Sequence, residues 1–153
     1  MGIRTIIEDK YKEAIKSKNT DEINTLRLIK SAIKDKDIAS RSNNNNQEIK
    51  DEEILSLLQT LIKQRKDSIE SFKSASRDDL IVIEQTEINI ISSFLPKQLN
   101  QDEIEFLISK IIKDNNLNSL KDMGKLMGEL RANHSGNIDM GSAGKIAKLK
   151  LSE

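Results

Sequence analysis

Apolar residues recur at spacings of three and four along most of the chain, the period of a helix that buries one face. Ile3, Ile7, Tyr11 and Ala14 open the series, with Glu8, Lys10, Lys12 and Glu13 on the other side. That helix is expected to stop near Ser17-Lys18-Asn19, with Asn19 or Thr20 as the cap of the next, and Asn19 precedes Glu22 by the three residues of a capping box. Leu26, Ile29 and Ile33 mark a second stripe, which ends in the polar run Ser40-Arg41-Ser42-Asn43-Asn44-Asn45-Asn46-Gln47. Asparagines have nothing apolar to bury, so this run reads as a flexible loop. A third helix is predicted from Asp51 to about Ser74. Ile54, Leu58, Leu61, Ile69 and Phe72 face inward, Leu55 and Ile62 widen the stripe, and Asp51, Glu52 and Glu53 complement the helix dipole. Ser76 is expected to cap a fourth helix that buries Leu80, Ile83, Ile88, Ile91 and Leu95. Proline disfavours the α conformation in the residue before it, so Leu95-Pro96 reads as the boundary between two halves.

Beyond the boundary, Asn100-Gln101-Asp102-Glu103 has the form of a cap with its reciprocal glutamate. Ile104, Leu107, Ile108 and Ile111 give a fifth helix that ends at Asp114-Asn115-Asn116. Ser119 is expected to cap a sixth, with Met123, Leu126, Met127 and Leu130 buried, and a loop Asn133-His134-Ser135-Gly136-Asn137 after it. Asp139 then caps a last helix in which Ile146 and Leu149 face inward. The chain holds one proline, 3% aromatics and few β-branched alternations. The expected fold is therefore all-α: a long-helix N-terminal half over 1–95, and a compact three-helix C-terminal half over 96–153 whose helices begin near Asn100.

Charge narrows the function. Lys+Arg and Asp+Glu both count 25, so any nucleic-acid site must arise from local asymmetry rather than from total charge. Cysteine is absent, which removes disulfides, thiolate metal sites and cysteine nucleophiles. No apolar run approaches the ~18 residues that cross a bilayer, and the N-terminus shows no cleavage signature. A cytoplasmic protein without a membrane segment is expected. One histidine, His134, falls in an expected loop and reads as a solvated surface residue. With scattered carboxylates it offers no catalytic set and no metal site, and no cofactor is expected. Gly124-Lys125 and Gly144-Lys145 lack the remaining P-loop positions, which hold Ser119 and Leu126, then Asp139 and Ile146.

The last thirty residues stand out. Every glycine except Gly2 lies between Gly124 and Gly144, although glycine inside a helix costs about 0.5–1 kcal/mol relative to alanine. Over 121–150, six cations (Lys121, Lys125, Arg131, Lys145, Lys148 and Lys150) face three anions (Asp122, Glu129 and Asp139). Such a patch could neutralise a few phosphates, while bare glycines let a backbone approach. Close packing of neighbouring helices would explain the glycines equally well. The Lys63-Gln64-Arg65-Lys66 cluster reads as a solvated face, except that Arg65 falls on the apolar side and needs a partner there.

Several motifs together resemble the GatB/YqeY family over nearly the whole chain. They are Thr25-Leu26-Arg27-Leu28-Ile29-Lys30, Lys63-Gln64-Arg65-Lys66-Asp67-Ser68 with Phe72, Arg77-Asp78-Asp79-Leu80, Glu84, Glu87, Phe94-Leu95-Pro96-Lys97-Gln98-Leu99, and Asp122-Met123-Gly124-Lys125-Leu126-Met127-Gly128. The resemblance implies an all-helical protein whose C-terminal half is similar to the tail of the B subunit of glutamine-dependent aminoacyl-tRNA amidotransferase, the part that holds the tRNA. It implies tRNA as partner, with Lys121, Gly124, Lys125, Gly128, Arg131, Lys145 and Lys148 as candidate contacts. Amidotransferase or tRNA-synthetase components are further partners it suggests, and carbon–nitrogen ligase activity with glutamine as amide donor would be inherited from the larger enzyme. A protein-interaction adaptor and an amidotransferase-associated enzyme subunit stand as the alternatives. Where the family often has glycine before the arginine of the third-to-fourth helix turn, this chain has Ala75-Ser76. Serine is expected to keep that turn as a helix cap.

Overall fold

The computed structural model describes residues 2–41 and 48–152, so most of the asparagine run lies outside the described residues. The fold is all-α, with no strand among the described residues. Two compact units divide the chain, Met1–Leu95 and Pro96–Glu153.

Four helices build the first unit: α1 Ile3–Ser17, α2 Thr20–Ser40, α3 Asp51–Ser74 and α4 Asp78–Ser92. The apolar stripes read from spacing meet in one core of Ile7, Ala14, Leu26, Ile29, Ile33, Ile54, Leu58, Leu61 and Ile91, which Ile49 joins. Asn19 caps α2 by accepting the Glu22 amide at 3.2 Å. Near the start of α1, the Arg4 guanidinium donates twice to Asp37 of α2, at 3.0 and 2.6 Å, and once to the Ile49 carbonyl. Asp37 also accepts the Ile49 amide at 2.9 Å. The Arg4 hydrogen bonds, helped by that amide, hold the Asp37 carboxyl below the usual carboxylate range although burial pushes the other way. Arg65 finds its partner inside the α3–α4 pair. Its Nε donates to Glu87 at 2.6 Å and its Nη1 to the Leu61 carbonyl at 2.9 Å.

Two expectations for α4 fail. Ile83 is 53% exposed. The buried residues of α4 are Ile88 and Ile91, and Ile83, five residues before the one and eight before the other, falls to their flank at about 100° per residue. Ser76 does not cap α4; Arg77 holds that position, without a side-chain cap. Ser76 is instead the left-handed residue that ends α3, at φ 55°. Its amide donates to the Lys73 carbonyl and the Arg77 amide to Phe72, the paired bonds of a Schellman motif. Lys18 after α1 and Asn116 after α5 end their helices in the same way. Glycine is favoured at such positions, and this chain uses it at none of the three.

The second unit holds α5 Gln101–Asp114, α6 Met123–His134 and α7 Met140–Leu151. Asn100 and Glu103 form the full capping box, at 2.8 and 3.1 Å. Ile104, Ile108, Ile111, Leu126, Leu130, Ile138, Ala143, Ile146, Ala147 and Leu151 make its core, with Leu107, Met123 and Met127 against it. Ser119 opens not α6 but a 3-10 turn, Leu120–Asp122. The Asp122 carboxylate turns back to take the Asn118 and Ser119 amides, which fixes that turn and starts α6 at Met123. At the other end α6 runs through Asn133 and His134, expected in a loop; Asn137 returns its amide to the His134 carbonyl and closes the turn. Leu149 is 67% exposed rather than inward. The buried line of α7 runs Ala143, Ala147, Leu151, and Leu149 sits two residues off it, on the opposite side. Gln98 donates to the Gly136 carbonyl, the Leu99 amide to Asn137, and the Asn137 side chain to Lys97. These three bonds tie the α6–α7 loop to the segment before α5 and set where α7 begins.

Candidate nucleic-acid interface

Helix α6 buries Leu126 and Leu130 and leaves Gly124, Lys125, Gly128, Glu129 and Arg131 exposed. A Cβ added at Gly124 or at Gly128 would meet no atom of the described residues within 4 Å, so neither glycine makes room for a neighbouring helix of the second unit. Close internal packing, one of the two explanations open from the sequence, is thereby removed. Neither glycine serves a turn either, because no glycine among the described residues has positive φ. The cost of glycine in this helix has no return among the described residues of the second unit.

The cations around the glycines are as unattached as the glycines are bare. Among the described residues, Lys121, Lys125, Arg131, Lys145 and Lys148 are exposed and take part in no ion pair or side-chain hydrogen bond. The first unit behaves differently. It holds every ion pair of the described residues, including Arg4–Asp37, Lys30–Glu8, Arg65–Glu87 and Arg77–Asp79. The anions counted against the patch are also occupied. Asp122 accepts two amides, Asp139 accepts the Gly141 amide and the Ser142 hydroxyl, and Glu129 accepts from the Asn133 side chain.

Helix geometry sorts the candidates further. Met127 reaches to 3.8 Å of a Cβ built on Gly144, which fixes the side of α6 that meets α7. Gly124 and Arg131, three before and four after Met127, lie along that side, as Lys148, four after Gly144, does on α7. The structure therefore groups Gly124, Arg131 and Lys148 along the α6–α7 seam. Gly128 lies next to them on α6, and Lys121 precedes them in the 3-10 turn. Lys125, two residues before Met127, faces away from the seam, and Lys145 sits to one side of Gly144 on α7. Gly144 differs from Gly124 and Gly128, because a Cβ there would touch Met127. Ala132, exposed and four residues after Gly128, extends the bare strip by a turn; its spacing could have revealed it. Exposed Leu120 and Leu149, at 49% and 67%, sit beside these cations and had no signal in the pattern.

Among the described residues no group of three or more histidines, aspartates or glutamates is placed to hold a metal ion. No helix among them is long and apolar enough to cross a membrane.

Three fungal proteins give the measure of similarity. The chain is 30% identical over 101 residues to "Altered inheritance of mitochondria protein 41, mitochondrial" of Saccharomyces cerevisiae, covering 66% of this chain and 52% of that protein. The protein of the same name in Pyrenophora tritici-repentis is 29% identical over 104 residues, covering 67% and 55%. An uncharacterized protein of Schizosaccharomyces pombe is 30% identical over 96 residues, covering 63% and 74%. The chain thus spans about half the length of the first two relatives. The family model described as "Yqey-like protein" matches residues 4–151, nearly the whole chain and both helical units, and the chain belongs to that family.

Proposed function

We propose that the second unit is a non-catalytic tRNA-binding module, docking the exposed face of α6 and the cations of α7 on the sugar-phosphate backbone. The observation that carries this reading is the pair Gly124 and Gly128, bare toward solvent and set among cations without partners. A glycine strip admits a phosphate backbone to van der Waals distance of helix backbone, and free ammonium and guanidinium groups supply the charge. The resemblance to the amidotransferase B-subunit tail names tRNA as the nucleic acid. Ligase activity with glutamine as amide donor belongs to the larger enzyme in this reading, and amidotransferase or tRNA-synthetase components are the partners that would share the tRNA. The compartment proposed is the cytoplasm; the fungal relatives carry "mitochondrial" in their names, and fractionation of tagged protein separates the two.

Titration of labelled tRNA with the full chain at two salt concentrations tests the binding. Affinity should fall with salt, and Lys125→Ala with Arg131→Ala should flatten the salt slope by about 1–2. Absence of binding at low salt sinks the proposal. A protein-interaction adaptor is the second reading, favoured by Val82 and Ile83 of α4, 64% and 53% exposed side by side. A protein complex that survives nuclease treatment, in a chain that binds no tRNA, would establish it instead. Amide formation on misacylated tRNA by the purified chain alone would establish the enzyme reading, and none is expected.

A further inference from the structure

Helix α5 carries the most exposed large apolar side chain among the described residues, Phe106 at 74%. The core face of α5 is made by Ile104, Ile108 and Ile111, and Phe106, two residues from Ile104 and from Ile108, points away from them. A ring turned to water adds nothing to the packing of this unit. Its neighbours on the outer face are Asp102, four residues before it, and Lys110 and Lys113, four and seven after it. All three are exposed, and they form no ion pair or side-chain hydrogen bond among the described residues. Asp102 and Lys110 lie about 12 Å apart along the helix, at 1.5 Å per residue, with the ring between them.

The strip is its own complement. Asp102 and Lys110 stand equally far on either side of Phe106, so a second α5 laid antiparallel across the first, with a two-fold axis at Phe106, sets each Asp102 opposite the partner's Lys110. Ring then meets ring at the centre, where apolar area is buried twice over. A nucleic acid suits the strip less well, because Asp102, Glu103, Glu105 and Asp114 outnumber Lys110 and Lys113 on this helix and repel phosphates. We propose that α5 is a self-association face, through which two copies of this chain pair antiparallel about Phe106. One pair of four-turn helices buries less than the roughly 1,200 Å² of a stable interface, so the dimer is weak and forms at high local concentration. Phe106 points away from the core that α5 shares with α6 and α7, so the pairing does not use the proposed tRNA face and does not depend on it.

The test is sedimentation equilibrium of the full chain from about 20 µM to about 1 mM, the range in which so small an interface associates, with backbone amide shifts followed over the same dilution. The apparent mass should rise toward twice the monomer's, with concentration-dependent shifts at Asp102, Phe106 and Lys110. Phe106→Ser, at a position the core does not use, should keep the folded amide spectrum and abolish the rise. Asp102→Lys or Lys110→Asp alone should weaken association roughly tenfold, because each pair occurs twice and turns repulsive. An equimolar mixture of these two variants should associate again, since each chain then meets opposite charge at both positions. A chain that stays monomeric to about 1 mM overturns the proposal. Shifts at Phe106 on adding tRNA to such a monomer would make the ring a base-stacking platform instead. Association unchanged in Phe106→Ser, or a mixture no tighter than either charge variant alone, overturns it as well.

Discussion

Replacing Gly128 with alanine should stabilise the second unit. Gly128 is the sixth of twelve residues in α6, so its backbone is held on both sides by helical hydrogen bonds. A methyl group there meets nothing within 4 Å and points to solvent, so no clash offsets the gain. The gain is the usual difference between glycine and alanine inside a helix, about 0.5–1 kcal/mol. Gly124 is only the second residue of α6, and Gly124→Ala should add a smaller part of that amount. Native-state hydrogen exchange is the assay, because the two units need not unfold together. The amides of Leu126 and Leu130, whose side chains are fully buried, report on α6. They should exchange roughly two- to fivefold more slowly in Gly128→Ala, the factor that 0.5–1 kcal/mol implies. The same variant should bind tRNA more weakly, because the methyl group fills the strip. Unchanged or faster exchange would refute the reasoning: the glycine would then serve the fold, and its cost would no longer point outward.

Other consequences concern the first unit. Ser76→Gly should stabilise it by about 0.5–1 kcal/mol in urea unfolding followed by circular dichroism, because a side chain at φ 55° is strained and glycine is not. Glu87→Ala should cost about 2–4 kcal/mol by the same measurement, since it leaves the Arg65 guanidinium buried with only the Leu61 carbonyl. Replacing both partners, Arg65→Met with Glu87→Leu, should recover most of that loss. Asp37 has its folded-state pKa lowered, so its contribution is complete above its ordinary value near 3.8 and is lost as pH falls through the folded value. Asp37→Asn should accordingly destabilise at neutral pH and flatten the acid limb of a stability–pH profile; an unaltered limb would mean the Arg4–Asp37 pair contributes nothing.

The elements were legible in the sequence wherever one stripe decides burial. Ile54, Leu58 and Leu61 gave α3, and Asn100 with Glu103 gave the start of α5, because period and cap chemistry act locally. Leu149 misled because alanines at 143 and 147, weak in an apolar pattern, define the buried line of α7. Ile83 misled because spacing alone leaves the centre of α4's inner side open, and Ile88 and Ile91 set it away from Ile83. Ser76 was misread because a serine before an acidic turn resembles an N-cap, whereas the preceding helix required a left-handed residue there. The candidate site was half legible. Spacing exposed the glycines and lysines of 121–148, but not that Asp122 and Asp139 turn their carboxylates to backbone amides, nor that the cations form no ion pair among the described residues. Nor could spacing show whether Gly124 and Gly128 met a helix or solvent; that needed the atoms around them.

The central claim is that the bare face of α6 receives the tRNA backbone. Amide shifts of the isotope-labelled chain on addition of unlabelled tRNA test it most directly, since glycine amides report the strip itself. The account predicts salt-sensitive changes at Gly124, Gly128, Arg131 and Lys148, with α4 unperturbed. Changes confined to the first unit, or none at low salt, would contradict it.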